Sequence, residues 1–174
     1  MIMNSSTLNL YTLGFSQGRS YLFAALFLVG NIVLPQLCHL MPQGGLTLLP
    51  IYFFTLIGAY KYGWKVGLMT AVFSPLVNSA LFGMPAAAVL PGIMVKSVLL
   101  ALSAAFVARR YQSVSIPLLL LVVLGYQVVG SLIESAMLGS LTLGFQDFRI
   151  GIPGMLLQVV GGYFVIKSMN WKKS

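Results

Sequence analysis

The chain has 174 residues, 59% of them hydrophobic and only 7% charged, with a mean hydropathy of +0.95. Soluble domains carry about 25% charged residues, so this composition excludes a water-covered globule and implies an integral membrane protein. Ten basic residues face two acidic ones, for a formal charge of +8. The basic residues cap apolar runs rather than alternate with aromatics on a surface, which argues against a nucleic-acid partner.

The apolar runs lack the strict alternation of a membrane β-barrel strand, and each is close to the ~20 residues a spanning helix needs. The expected fold is therefore an all-α membrane protein, one domain over 1–174 with six spans in the lipid bilayer. In chain order, residues 1–18 have no basic n-region, so the first span is expected to stay in place rather than be cleaved as a signal. Spans are predicted over 21–37, 46–60, 66–82, 91–107, 116–138 and 150–166. The second is short and has Pro50 near its start, the third contains Pro75, and the fifth carries Pro117 in its first turn. The alanines Ala86, Ala87 and Ala88 suggest partial helix in the loop after the third span. A loop over 139–149 precedes the sixth. The single cysteine, Cys38, excludes an internal disulfide and a cysteine-based metal cluster, and no cofactor or metal is expected.

Basic residues mark every second gap between spans. Arg19, Lys61, Lys65, Arg109, Arg110, Lys167, Lys172 and Lys173 all fall on one side, which the positive-inside rule makes cytoplasmic. Both termini then lie in the cytoplasm. Trp64 and Trp171 fall at the same interface, where aromatic belts form.

Other polar groups are stranded inside apolar runs. Lys96 lies about 7–8 Å inward from the outer start of its span at 1.5 Å per residue, and Glu134, Asn78 and Asn31 lie at similar depths. Gln127, Ser131 and Glu134 share one helical face. Buried ionisable groups in a bilayer face a partner or a cavity. Two readings stand side by side: an ion pair stapling the fourth and fifth spans, or a pocket where Lys96 attracts an anionic group while Glu134 and the amides orient the rest. His39 and Gln43 sit above this layer in the first outer loop, as candidate lid residues. Asp147 and Arg149 share the last outer loop. Gly63, Gly67, Ala71, Pro75 and Ser79 repeat every four positions, a stripe suited either to internal packing or to docking a second membrane subunit. Ser20 and Ala24 offer a weaker small-residue pair.

Leu48-Leu49-Pro50, the run from Gly58 to Leu68 around Tyr60-Lys61-Tyr62-Gly63-Trp64-Lys65, Ser74-Pro75-Leu76-Val77-Asn78 and Phe82-Gly83-Met84-Pro85 together resemble the substrate-binding S components of energy-coupling factor transporters. The resemblance covers roughly residues 20–110 and is nearest to members taking up small vitamins. It implies a six-helix bundle that captures a vitamin-like solute from outside, with the first loop closing over it. The bundle would then dock on a transmembrane coupling subunit driven by two ATPase subunits in a bacterial inner membrane. On this reading Lys96, Glu134, Asn78, Asn31, His39 and Gln127 bind solute, and Ser20, Ala24, Gly63, Gly67 and Ala71 dock the partner. The family's Ala-xxx-Ala docking motif is only approximated by Ser20 and Ala24. A membrane enzyme is disfavoured, since two acids and one histidine give no acid–base or metal constellation. The remaining alternative is a structural membrane protein of the MreD cell-shape type, which needs no cavity lined by polar groups.

Overall fold

Proline and glycine set most of the helix boundaries. In the computed structural model, which describes residues 6–7 and 16–169, α1 spans Gly18–Cys38 and α2 spans Gly44–Leu48. A 3-10 turn, Pro50–Tyr52, leads into α3, Phe53–Tyr62. Then come α4 (Trp64–Phe82), α5 (Leu90–Tyr111), α6 (Ile116–Leu138), α7 (Leu141–Gly144), α8 (Gln146–Ile150) and α9 (Ile152–Ser168). Prolines open α5, α6 and α9, where the missing N–H costs nothing. Gly83 and Gly139 close α4 and α6 in the left-handed conformation (φ 65° and 63°), open to a residue without Cβ.

The protein is all-α apart from one two-residue antiparallel pairing, β1 (Ser6–Thr7) with β2 (Ser113–Val114). Four helices, α1, α4, α5 and α6, are long and apolar enough to cross a membrane; α9 is apolar but has 17 residues. The span expected over 46–60 is not one helix. Pro50 has no N–H, so the Leu46 carbonyl loses its helical partner, and the chain breaks at Leu49, which takes a left-handed conformation (φ 47°, ψ 46°). The alanines at 86–88 form a turn instead of a helix, while the expected loop over 139–149 holds α7 and most of α8. Trp171, Lys172 and Lys173 lie outside the described residues.

Lipid tails are as apolar as leucine, so close packing and hydrogen bonds must hold such helices together. Glycines supply the close approaches. A Cβ on Gly30 would lie 2.7 Å from the Phe54 ring, and one on Gly58 would lie 3.0 Å from Phe27, so α1 and α3 interlock ring against backbone. Phe23 stacks on Tyr62 at 4.0 Å beside them. A Cβ on Gly154 would lie 2.4 Å from the Leu48 backbone, which seats the α2 break directly on α9. At the far end, the Tyr60 hydroxyl donates to the Ser113 carbonyl (2.8 Å), and both β1 and α9 pack against β2.

The small-residue stripe of α4 is an internal seam. A Cβ on Gly67 would sit 2.5 Å from the Ala59 Cβ on α3 and 3.3 Å from the Ala101 Cβ on α5. Ala71, Ser20 and Ala24 are likewise buried, and Gly63 forms the tight link between α3 and α4. The chain's own helices cover Gly67 and Ala71 along this seam. Gly67→Leu is expected to destabilise the isolated protein by about 1–3 kcal/mol through overpacking. Gly125→Leu, at a position where a Cβ meets nothing within 4 Å, should stay within about 0.5 kcal/mol of wild type. Unfolding of both variants in detergent checks this; equal stability of the two would refute the internal seam.

Candidate functional site

A lysine buried near the start of α5 gathers every acidic side chain the sequence has. The Lys96 side chain is fully buried; its Nζ lies 2.5 Å from Glu134 Oε2 on α6 and donates to Asp147 Oδ2 on α8 at 2.8 Å. Glycines make room for this triad. A Cβ on Gly130 would touch the Lys96 stem at 2.5 Å, and one on Gly92 would touch the Glu134 carboxylate at the same distance. The Lys96–Glu134 staple between α5 and α6 is thus present, and it extends to the outer segment α7–α8. With all three groups ionised the cluster carries a net negative charge, not the positive field expected from Lys96 alone.

Asn31 and Asn78 do different work. Pro35 cannot donate to the Asn31 carbonyl, and Asn78 Nδ2 donates to it instead at 2.8 Å. The Asn31 side chain accepts from the Phe54 N–H (3.1 Å), one of the orphan donors at the start of α3, and donates to Thr55 Oγ1 (3.0 Å) and Ser74 Oγ (3.2 Å). Asn78 Nδ2 also donates to the Ser74 carbonyl at 3.0 Å. Both asparagines lie at the predicted depth, but their bonding mends interrupted helices and ties α1, α3 and α4 together. These bonds give both asparagines a framework role.

A third set of polar groups is buried with bonding capacity unspent. Among the described residues, Tyr52 Oη, Ser97 Oγ, Ser131 Oγ, Gln158 Nε2 and both amide atoms of Gln127 find no hydrogen-bond partner. They sit around the triad. Ser97 follows Lys96, Ser131 follows the glycine that receives the Lys96 stem, and Gln127 lies one turn away on the same face of α6. The Tyr52 and Tyr126 rings lie 5.4 Å apart, the Tyr126 hydroxyl donates to Gln158 Oε1 at 2.9 Å, and both tyrosines stand within electrostatic reach of Asp147. Leaving such groups unpaired costs about 1–3 kcal/mol each, so bound water or a polar ligand is the chemistry that fits them.

A cavity of about 310 Å³ is walled by Pro35, His39, Gln43, Pro50, Pro85 and Ile93 among others. His39 and Gln43, the expected lid residues, are among those lining it. Ile51 and Ile93 also line it, and they neighbour Tyr52 in sequence and Lys96 by one helical turn. Lys96, Glu134, Asn31, Asn78 and Gln127 are not on its lining, so the expected site residues divide between an apolar compartment and a polar one. Sequence reasoning missed Asp147, Tyr52 and Gln158. The signal for Asp147 was available: it is one of only two acids, on the same outer side as Lys96. Tyr52 and Gln158 become visible only once the break at Leu49 and the register of α9 are known.

Lys96→Met would strand two carboxylates in apolar surroundings and should destabilise the protein by about 3–5 kcal/mol. Adding Glu134→Gln and Asp147→Asn should recover most of that loss, because neutral amides tolerate burial better than unpaired charges. Unfolding of the single and triple variants decides this; a single variant as stable as wild type would contradict the triad.

No family model, curated protein or solved structure matches this chain.

Proposed function

We propose that the chain is the solute-capturing subunit of an energy-coupling factor type importer, set in a bacterial inner membrane with six spans and both termini in the cytoplasm. The observation that carries this reading is Gln127: fully buried, with both amide atoms unpartnered among the described residues, in a fold that also holds a cavity of small-ligand size. A scaffold gains nothing from such groups, whereas a binder needs them.

Support for the six spans comes from counting the broken segment 44–62 as one crossing and α9 as another. At 1.5 Å per residue, 17 residues reach about 26 Å, close to the thickness of a thin bilayer. The pairing of β1 with β2, together with the packing of α9 on β2, supports placing both ends on one side. Arg19, Lys61, Lys65, Arg109, Arg110 and Lys167 favour the cytoplasm for that side. The break at Leu49 lies about one turn in from the outer end of its segment, level with the triad. Irregular backbone at that depth is characteristic of transporter binding sites. The transmembrane coupling subunit and its two ATPases belong to this proposal through the resemblance to S components, with their docking face elsewhere than the buried α4 seam.

The charge of the triad narrows the solute. Lys96 already faces two carboxylates, so a third would be repelled. A neutral, zwitterionic or cationic vitamin-like solute suits the site, its polar atoms meeting Gln127, Ser131 and Tyr52 and its apolar part filling the cavity under His39 and Gln43.

Mass spectrometry of small molecules retained by the purified protein, followed by binding titrations, tests this. Gln127→Leu should leave stability within about 1 kcal/mol of wild type, since it removes unpaired polar atoms of similar volume, and should weaken solute binding at least about tenfold. Absence of any retained or bound solute would return the chain to the structural, cell-shape alternative. Binding without uptake alongside a coupling module would sink the transport half alone.

A further inference from the structure

We infer a binding site for an anionic phospholipid at the opposite end of the bundle, in a groove of about 600 Å³ between the start of α4 and the end of α5. Trp64, Leu102, Ala105 and Phe106 form its apolar walls, and Arg109 and Arg110 stand at its mouth. The arginines follow Lys96 along α5 by about 20 Å at 1.5 Å per residue, so the site is separate from the outer polar cluster.

Charge bookkeeping specifies the occupant. The sequence has two acidic side chains, Glu134 and Asp147, and Lys96 holds both. No side-chain carboxylate of this protein is left for Arg109 or Arg110, both of which are exposed. Their neighbours confirm the shortage: Arg110 rests on the Tyr111 ring at 5.8 Å, and Gln112 Nε2 donates to the Arg109 carbonyl rather than engaging a charge. A bidentate guanidinium pair suits a phosphate. Leu102 (45% exposed) and Phe106 (70% exposed) continue the groove along α5 at positions one turn apart, toward the membrane interior. A headgroup phosphate on the arginines and an acyl chain along these two residues satisfy both halves at once. Trp64, with the Lys65 ammonium 5.6 Å from its ring centroid, marks the interfacial level at which a headgroup lies.

Full-length protein, delipidated in detergent, is titrated with phosphatidylglycerol, phosphatidylcholine or sodium phosphate, and followed by native mass spectrometry and thermal unfolding. Phosphatidylglycerol should be retained and should raise the unfolding temperature; phosphatidylcholine and phosphate should do neither. Arg109→Gln with Arg110→Gln should weaken phosphatidylglycerol binding about thirtyfold, taking the typical contribution of one basic residue at an anionic surface for each. Leu102→Trp, which fills the groove and keeps both arginines, should also weaken it, whereas Lys167→Gln, outside the groove, should not. Equal binding of phosphatidylcholine, full stabilisation by phosphate alone, or undiminished binding in either groove variant would overturn the site.

Discussion

Burying a lysine in a bilayer costs at least about 2.5–3.5 kcal/mol on insertion scales, and one half of this bundle is arranged around meeting that cost at Lys96. Two carboxylates reach it from different elements, Glu134 from α6 and Asp147 from α8. Their convergence fixes where the segment after α6 must lie. That segment folds back as α7 and α8, with Gly144 close against Ser135 and Gly151 close against Leu49. The position of Leu49 in turn sets the break between α2 and α3. Gly92 and Gly130 belong to the same constraint, since any side chain there would occupy the space of Glu134 or of Lys96 itself.

The interior polar groups separate into two populations, and the division follows from backbone chemistry. Prolines at 35 and 50 leave carbonyls without donors, and a bilayer offers no water to replace them. Asn78 serves the carbonyl orphaned by Pro35, while Asn31 serves the exposed start of α3 and holds Thr55 and Ser74. Most of this capacity is spent on structure, although Asn78 Oδ1 accepts no bond among the described residues. Tyr52, Ser97, Gln127, Ser131 and Gln158 owe nothing to a broken helix and retain unspent hydrogen-bonding capacity. Polar residues of the second kind are the ones that have chemistry left to offer a ligand, although both kinds look alike in a hydropathy trace.

This is also why the sequence reveals the helices more fully than the site. The fifth span, 116–138, coincides with α6 at both ends because Pro117 and Gly139 punctuate it unambiguously. Depth was legible too: Lys96, Glu134, Asn31 and Asn78 lie within a comparable distance of the helix ends, since rise per residue is constant. Azimuth was less so. A one-dimensional reading placed four polar groups in one layer but could not show that the asparagines turn toward the α1–α3–α4 junction while Lys96 turns toward α6. The α4 stripe was ambiguous for a related reason: small residues permit close approach by any helix, and only the fold shows that Ala59 and Ala101 already occupy the space. Asp147 was legible as one of two acids, but its loop, whose two short helices carry too few residues for a periodic signal, did not show where its side chain would reach.

With only two acids in the chain and both drawn to Lys96, the two ends of the bundle acquire opposite electrostatic characters. One end holds a compact, internally compensated cluster with a slight negative excess; the other end keeps Arg109 and Arg110 with no carboxylate side chain to meet them. The same allocation that stabilises one buried lysine therefore leaves positive charge at the opposite interface, where anionic lipid headgroups can neutralise it.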